Sequence, residues 1–156
     1  MIELEIPGFG HLHLEHLVSD FTGTLSVDGK LVPGVKERLN KLSQQLKIHI
    51  LTADTFGTAK EQLKDIDCEV HILGGADHDL KKEAYVKKLG PDRVVALGNG
   101  NNDKLMLKVA RVGIAVLLEE GCSVSALSSA DIVVKSIIDG LDLLLNPKRL
   151  KATLRF

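Results

Sequence analysis

Short apolar runs rich in β-branched residues alternate with helical patterns along this chain, and this alternation restricts the fold more than any other feature. The runs are typical of strands at residues 14–19, 48–51, 70–73, 93–97, 113–117 and 132–134. Apolar residues recur at helical spacing at residues 33–46, 58–66, 79–89, 102–110, 121–127 and 136–145. Because the two patterns alternate, we predict an α/β fold: a three-layer, doubly wound parallel sheet with helices on both faces.

Two hairpins are predicted outside this sheet. Apolar residues alternate through residues 2–6 and again from residue 12, with a turn at residues 7–10, and the returning strand is expected to run on to Ser19. The turn sequence at residues 27–30 (VDGK) predicts a short flap. The histidines of the first hairpin region are interpreted as surface or strand-edge residues instead of metal ligands: His11, His13 and His16.

Length and charge limit the class of protein. The chain has 156 residues, interpreted as a single domain over residues 1–156 that can bury roughly 70% of its unfolded surface. Lys and Arg total 20 against 21 Asp and Glu, so neither nucleic acid nor an anionic membrane is predicted as a partner. No apolar run approaches the roughly 20 residues of a membrane span. Cys68 and Cys122 are interpreted as reduced thiols, which predicts a cytoplasmic location.

Three of the predicted strands end in polar clusters, and ligands of parallel sheets bind at the carboxyl ends of strands. The clusters are residues 20–24 (DFTGT), 52–54 (TAD) and 98–103 (GNGNND). Their carboxylate, amide and hydroxyl oxygens suit Mg²⁺, whereas no His/Cys set has zinc spacing. Lys82 lies near a predicted helix N-terminus, where a lysine beside magnesium implies a phosphate ligand. Gly23 allows the backbone to approach such a ligand closely.

Four motifs, in order, resemble those of the haloacid dehalogenase superfamily of aspartate-nucleophile phosphohydrolases, and within it most of all the phosphorylation domain of P-type ATPases. Residues 20–25 (DFTGTL) are similar to the DKTGTLT of that group, and residues 51–55 (LTADT) to its TGD segment. Residues 82–89 (KEAYVKKL) resemble its lysine motif, and residues 98–103 (GNGNND) its GDGxND. The likeness spans roughly residues 14–134. Each motif alone is weak, but the ordered set is a strong signal.

The resemblance implies a role for each matching residue. Asp20 would attack phosphorus and form an aspartyl phosphate, while the backbone carbonyl of Thr22 would bind Mg²⁺. The implied catalytic residues are Asp20, Thr22, Thr52 and Lys82. The implied phosphate-binding residues are Thr52, Lys82, Gly23 and Asn102, and the implied metal-binding residues are Asp20, Thr22, Asn99 and Asp103.

Two positions depart from the pattern of most phosphatases in the superfamily. Thr22 stands where they carry a second Asp that exchanges protons with the leaving group and with water, and losing such help typically costs about 10²–10⁴ in rate. P-type ATPases carry threonine there, so we expect a slow enzyme that prefers aryl or acyl phosphates. Asn99 replaces the first acid of GDGxND, which predicts weaker binding of Mg²⁺. The likeness gives Asp54 no catalytic part, and we interpret it as a helix cap.

Other functions remain open at this point. The same fold with Thr22 and Asn99 would also suit a catalytically impaired regulatory or interaction protein, or a subunit that works with a larger ATPase. The chain between the motifs is too short for a cap domain. Capless members of the superfamily often act on large substrates or form oligomers, so a phosphorylated small molecule or macromolecule is the expected substrate and a homo-oligomer the expected assembly.

Overall fold

A computed structural model describes residues 1–156 and contains ten strands. In chain order these are β1 (Ile2–Ile6), β2 (Gly10–Leu14), β3 (His16–Ser19), β4 (Ser26–Val27), β5 (Lys30–Leu31), β6 (Lys47–Thr52), β7 (Glu69–Ile72), β8 (Val94–Gly98), β9 (Val112–Val116) and β10 (Ile132–Val134). Six of them form one parallel sheet in the order β10-β9-β8-β3-β6-β7. The predicted doubly wound parallel sheet is confirmed.

Helices cover both faces of this sheet. The helices α3 (His78–Leu89), α4 (Lys104–Val109) and α5 (Val124–Ser129) lie over one face. The opposite face carries α1 (Val35–Leu42), α2 (Ala59–Leu63), α6 (Ile137–Leu145) and α7 (Pro147–Leu154). Alternate residues of the strands point to opposite faces, so Ile50 joins the larger core under α1 and α6 while Leu51 joins the smaller core under α3 and α4. The three-layer arrangement follows from this alternation.

Both predicted hairpins are present. Strands β1 and β2 pair in antiparallel register, Ile2 opposite Leu14, and β4 and β5 form the flap. The returning strand does not run unbroken to Ser19 as expected. It is interrupted at Glu15, where the chain leaves the hairpin and the backbone begins to bond with Arg93 and Lys47 of the neighbouring segments of the main sheet.

The helices differ from expectation mainly at their ends. A short 3-10 turn at Asn101–Asp103 precedes α4, and α5 begins at Val124 because the Ser123 side chain caps it. Helix α2 is shorter than predicted. The sequence pattern missed α7, which has Pro147 in its first turn and buries Leu150 and Leu154. No helix combines the length and apolar character needed to cross a bilayer.

Candidate active site

The middle of the sheet brings three strand ends together. Strand β3 lies between β6 and β8, and the N–H of Asp20 donates to the carbonyl of Leu97 at 3.0 Å, which extends the pairing by one residue. Thr52 ends β6 and Gly98 ends β8. The chain runs from β3 outward to β6 and β7 and returns to β8 on the other side, so this edge is the switch point where ligands bind in such sheets.

A buried ammonium group connects two carboxylates at this point. Lys82 Nζ lies 2.9 Å from Oδ1 of Asp20 and 2.7 Å from Oδ1 of Asp103. The side chains of Lys82 and Asp103 are fully buried, while Asp20 retains 6% of its exposure. The structure therefore brings together three predicted site residues, from the residue after β3, from α3 and from the turn before α4. A lysine is almost never fully buried unless it is paired, and here it is paired twice.

Helix α3 positions the lysine. It begins after Asp77, whose left-handed backbone (φ 59°) turns the chain into the helix. Lys82 and Val86 are four residues apart and are both fully buried, so they define the inward face of the helix. Val86 packs in the smaller core, and this packing directs the neighbouring inward residue toward the end of β3.

The charges in this cluster do not cancel. Burial, together with the negative charge of Asp103, raises the pKa of Asp20 to about 7, although Lys82 acts in the opposite direction. Burial lowers the pKa of Lys82, but the two carboxylates outweigh it and leave that pKa above its ordinary value. Two carboxylates thus share one ammonium, and Asp20 carries the charge that is least compensated. An additional cation near Asp20 would restore the balance.

Asp103 organises the loop after β8. Its Oδ2 accepts the N–H groups of Asn99 and Gly100 at 3.0 and 2.9 Å, while its Oδ1 accepts from Lys82. Gly98 leaves room for this carboxylate, since a Cβ at Gly98 would come within 2.6 Å of the Asp103 side chain. Both oxygens of Asp103 are engaged and neither lines the cleft described below. The metal-binding role predicted for Asp103 stays a prediction.

Asn99 is held from two sides. Its Oδ1 accepts a hydrogen bond from the Thr24 hydroxyl at 3.0 Å, and its Nδ2 donates to the carbonyl of Gly121 at 3.0 Å. Gly23 faces this amide with a positive φ of 76°, and a Cβ there would lie 2.5 Å from Nδ2. The N–H of Gly23 already donates to Ser26. Gly23 therefore makes space for Asn99, and its predicted phosphate-binding role stays a prediction.

A small polar cleft opens beside Asp20, with a volume of about 200 Å³. Its lining residues are Asp20, Thr22, Thr52, Ala53, Thr55, Asn99, Gly100, Asn102 and Glu120. Of the predicted site residues, Asp20, Thr22, Thr52, Asn99 and Asn102 line it directly. Lys82 and Asp103 lie beneath it, and Gly23 lies behind Asn99.

The expected cap at Asp54 is observed. Its Oδ1 accepts the N–H groups of Thr58 and Ala59, both at 3.0 Å, at the start of α2. The N–H of Asp54 in turn donates to Oγ1 of Thr52 at 2.9 Å. This arrangement uses the Thr52 oxygen as an acceptor, which leaves its hydroxyl hydrogen free to donate into the cleft.

Two residues near the nucleophile were not anticipated from the sequence. Glu120 lines the cleft from the loop after β9 and accepts the N–H of Asp28 at the flap turn, at 3.1 Å. Thr24 places its hydroxyl between Asn99 and Asp20. Thr24 is the second threonine of residues 20–24 (DFTGT), so the motif marks its position, although no role was predicted for it. No local pattern marks Glu120, since only the folded chain brings its loop to the cleft.

The donor atoms around the cleft fit a hard cation. They are oxygens of carboxylate, amide and hydroxyl groups, with no imidazole or thiolate. The Thr22 Oγ1 is buried without a hydrogen-bond partner, and Oδ2 of Asp20 has only a long contact of 3.5 Å from Thr24. The oxygen donors of the cleft and the uncompensated charge of Asp20 fit a hard cation such as Mg²⁺, while its binding by Asp20, the Thr22 carbonyl, Asn99 and Asp103 stays a prediction.

Comparison with known protein sequences shows two kinds of relative. The uncharacterized protein MJ0073 of Methanocaldococcus jannaschii is 54% identical over 77 residues, which is 49% of this chain and 77% of that protein. The probable copper-transporting ATPase HMA5 of Arabidopsis thaliana is 30% identical over 132 residues, or 80% of this chain. That match spans only 13% of the ATPase. No family model matches the chain.

Solved structures confirm the predicted haloacid dehalogenase fold. The 3-deoxy-D-manno-octulosonate 8-phosphate phosphatase of Moraxella catarrhalis, in complex with magnesium, phosphate and KDO, has a TM-score of 0.71 at 20% identity. The match covers 92% of this chain and 94% of that one. A zinc-transporting PIB-type ATPase has a TM-score of 0.62 at 24% identity, over 78% of this chain and 20% of the ATPase.

Proposed function

The chain belongs to one family with MJ0073 and has the haloacid dehalogenase fold, and on that premise we propose that it is a Mg²⁺-dependent phosphohydrolase acting through Asp20. The observation that carries the proposal is the fully buried Lys82 ammonium, shared by the carboxylates of Asp20 and Asp103. A fully buried ammonium must be compensated by hydrogen-bond acceptors, and both carboxylates that compensate Lys82 belong to the motifs at the strand ends. Here it lies between the candidate nucleophile and the loop that lines the phosphate cleft.

Asp20 is placed to act as the nucleophile. Lys82 holds its Oδ1, so the side chain has a defined orientation, while Oδ2 carries only the long contact from Thr24. The less engaged oxygen would attack phosphorus and form an acyl phosphate on Asp20, and the leaving oxygen would depart on the opposite side. Water would then hydrolyse the acyl phosphate and regenerate the carboxylate.

The groups around Asp20 would stabilise a phosphoryl group electrostatically. An ionised Asp20 meets an anionic substrate, and Lys82 reduces the repulsion between them. The free hydroxyl hydrogen of Thr52 and the side-chain amide of Asn102 line the same cleft and would donate to the phosphoryl oxygens. Gly23 would contribute to phosphate binding through its small size, which leaves room for Asn99 at the cleft, because its N–H already donates to Ser26.

Magnesium would be held by Asp20, by the backbone carbonyl of Thr22 and by Asn99. Its chemistry there would be to neutralise the charge of the nucleophile and the phosphate. Asp103 would support this set indirectly, by fixing the backbone of Asn99 and the position of Lys82. Because Asn99 is neutral, we expect weaker binding of Mg²⁺ than in a site with a third carboxylate.

The environment of Thr22 supports slow turnover. Thr22 lines the cleft beside Asp20, but its hydroxyl oxygen is buried and has no partner that could relay a proton. The alkoxide form of a threonine is not accessible near pH 7, so the leaving group must depart without protonation by this side chain. We therefore expect aryl and acyl phosphates, whose leaving groups are weakly basic, to react fastest.

The size of the cleft suggests where the remainder of a substrate lies. Pockets that enclose drug-sized ligands measure about 300–1,000 Å³, whereas this cleft measures about 200 Å³. It therefore suits the phosphoryl group, with the rest of the molecule outside it against the flap and the Glu120 loop. A macromolecular phosphoester or a second copy of this chain could cover such an open site.

The test is direct labelling of Asp20. The chain would be incubated with Mg²⁺ and acetyl phosphate labelled on phosphorus, and then quenched in acid, which preserves acyl phosphates. We expect one label per chain, sensitive to hydroxylamine and absent in Asp20→Asn. Hydrolysis of p-nitrophenyl phosphate and a panel of acyl phosphates would be measured in parallel, with and without EDTA.

The outcomes separate the two main functions. Labelling with slow release supports the proposed enzyme, and labelling without release supports phosphoryl transfer to a partner. If a well-folded chain shows neither label nor hydrolysis, and beryllium fluoride with Mg²⁺ fails to protect Asp20, the enzyme proposal is wrong. A regulatory or interaction protein of the same fold would then be the better interpretation.

A further inference from the structure

A second group of side chains that can coordinate a metal lies away from the cleft, and we propose that it binds one divalent ion such as Zn²⁺. The metal ligands are His49, Glu69 and His71, which we call the edge triad. None of them lines the cleft. His49 lies three residues before Thr52, about 10 Å away along the strand.

Strand pairing brings the triad together. Strands β6 and β7 run parallel at the sheet edge, with His49 opposite Glu69 and Leu51 opposite His71. Glu69 and His71 are two residues apart and therefore share a face of the sheet. Tyr85 of α3 reaches that face and contacts both imidazoles. The arrangement is fixed by sheet register and helix packing, and does not depend on a flexible loop.

The two ligand separations from Glu69 match tetrahedral coordination. Glu69 Oε2 lies 3.4 Å from His49 Nδ1 and 3.4 Å from His71 Nε2. These distances exceed the usual range of about 2.7–3.2 Å for a hydrogen bond to oxygen. In a tetrahedral zinc site with bonds of about 2.05 Å, neighbouring ligand atoms lie about 3.3 Å apart. The two separations from Glu69 therefore fit ligands of one ion, and the ligand atoms of His49 and His71 lie within 4.8 Å of each other.

Tyr85 shows that both imidazole nitrogens converge on one point. Its hydroxyl lies 2.9 Å from His49 Nδ1 and 3.0 Å from His71 Nε2. A tyrosine hydroxyl donates only one hydrogen, so one of the two nitrogens must donate to it and the other accept. A metal ion would take both lone pairs at once, with the Tyr85 oxygen or a water molecule in the fourth position.

A supporting residue orients the buried histidine. His49 Nε2 lies 3.1 Å from Nδ1 of His16, and both residues are buried. The interpretation of His16 as a surface or strand-edge residue is therefore wrong, because β3 is paired on both sides. Metal-binding histidines almost always donate the N–H of their second ring nitrogen to a carboxylate, a carbonyl or water, which fixes ring orientation and tautomer, and here Nδ1 of His16 is placed to accept that hydrogen.

The exposed hairpin offers a useful contrast. Glu3, His11 and His13 are also close to one another. However, both ring nitrogens of His13 lie at hydrogen-bonding distance from carboxylates, 2.8 Å from Glu3 and 3.0 Å from Glu15. Those hydrogen bonds raise the pKa of His13, which favours an imidazolium that has no lone pair for a metal. This second group is the matched control.

The ligand set indicates the class of ion. Two imidazoles and one carboxylate suit Zn²⁺, Co²⁺, Ni²⁺ or Cu²⁺, whereas Mg²⁺ and Ca²⁺ prefer oxygen ligands alone. Glu69 and His71 are solvent-accessible and provide a route for the ion. The edge triad therefore differs in chemistry as well as in position from the oxygen-lined cleft.

The test is metal binding to the full chain after chelator treatment. Zn²⁺ would be titrated by calorimetry in the presence of saturating Mg²⁺, and Co²⁺ by its visible absorption spectrum. We expect one ion per chain with the absorption bands of a tetrahedral nitrogen–oxygen site. His71→Ala and Glu69→Gln, both at accessible edge positions, should each weaken binding at least tenfold.

Two further variants make the result decisive. His13→Ala should leave the stoichiometry, affinity and Co²⁺ spectrum unchanged, and so should Asp20→Asn. If His71→Ala retains wild-type affinity, or if the ion is lost in His13→Ala or Asp20→Asn instead, the edge triad is not the metal site. Absence of any binding of Zn²⁺ or Co²⁺ by the folded wild-type chain would likewise refute the proposal.

Discussion

Replacing Asp20 by Asn should stabilise the metal-free protein at neutral and alkaline pH, although it removes the proposed nucleophile. The reason is the uncompensated charge of the buried cluster, in which two carboxylates share the Lys82 ammonium. Asn keeps a carbonyl oxygen that can accept from Lys82, and it leaves one carboxylate, Asp103, to pair with one ammonium. The variant therefore keeps the packing and removes the excess charge.

The size of the effect follows from the pKa of Asp20. Its rise from an ordinary 3.8 to about 7 corresponds to an upper limit of about 4 kcal/mol, at about 1.4 kcal/mol for each tenfold change in proton affinity. Water entering the cleft lowers that limit, so we expect a gain of about 2 kcal/mol. For a domain of this length, this gain corresponds to a rise of about 4–8 °C in Tm.

The raised pKa of Asp20 also fixes the direction in which stability changes with pH. Between about pH 4 and pH 7 the folded wild-type chain binds more protons at Asp20 than the unfolded chain does, so its stability falls as the pH rises. The Asp20→Asn variant has no carboxyl group at this position, so it does not lose stability in this way as the pH rises. The advantage of the variant should therefore be small near pH 4, grow through this window and be complete above pH 7.

The assay is thermal and urea unfolding at several pH values in EDTA, with Asp92→Asn at an exposed position as the control. Added Mg²⁺ should raise the Tm of the wild type and have a smaller effect on Asp20→Asn, because binding to the folded state is stabilising. A variant less stable than the wild type at pH 8 without metal would refute the reasoning. It would mean that the Lys82 interaction outweighs the cost of burying the second carboxylate.

Three further substitutions test the site by activity and stability. Thr22→Asp should raise hydrolysis of p-nitrophenyl phosphate at least tenfold by supplying a proton donor, and an unchanged or lower rate would contradict our interpretation of Thr22. Gly98→Ala should cost about 1–3 kcal/mol through its clash with Asp103, whereas Gly74→Ala, with nothing within 4 Å, should leave unfolding nearly unchanged. Glu120→Gln removes a negative charge from the cleft rim and should lower KM for a dianionic substrate about twofold to fivefold, so a higher KM would instead give Glu120 a binding role.

The alternation of strand and helix patterns was sufficient to predict the sheet, its layers and the edge that carries the site. Apolar residues at alternate positions or at helical spacing indicate which residues face a core. Ligands of parallel sheets bind at the carboxyl ends of the strands, and residues 20–24, 52–54 and 98–103 all follow such ends. Local patterns could not predict where tertiary contacts interrupt a strand. The interruption at Glu15 arises because its backbone bonds to the neighbouring segments of another sheet.

The finer chemistry of the site depended on contacts that sequence spacing does not encode. The motif places Asp103 near the cleft, but only the fold shows both of its oxygens engaged by Lys82 and the loop backbone. Glu120 and the edge triad were missed for the same reason. Glu120 lies on a loop far from the motifs in sequence, and His49 of the triad lies on a different strand from Glu69 and His71, so sequence spacing does not mark these residues as neighbours.

The central position of β3 has a consequence for how the site forms. His16 pairs with Lys47 on one side and with Val94 on the other, so the first strand of the sheet is completed only by a segment far along the chain. Asp20 and the ammonium that balances it accordingly come from opposite halves of the polypeptide. Contacts between segments so far apart in sequence are slow to form. Acceptance of phosphate by Asp20 would therefore show that the chain has completed folding. Two fragments divided at the exposed Gly74 should each be inert, and labelling of Asp20 should return only when both are mixed and associate.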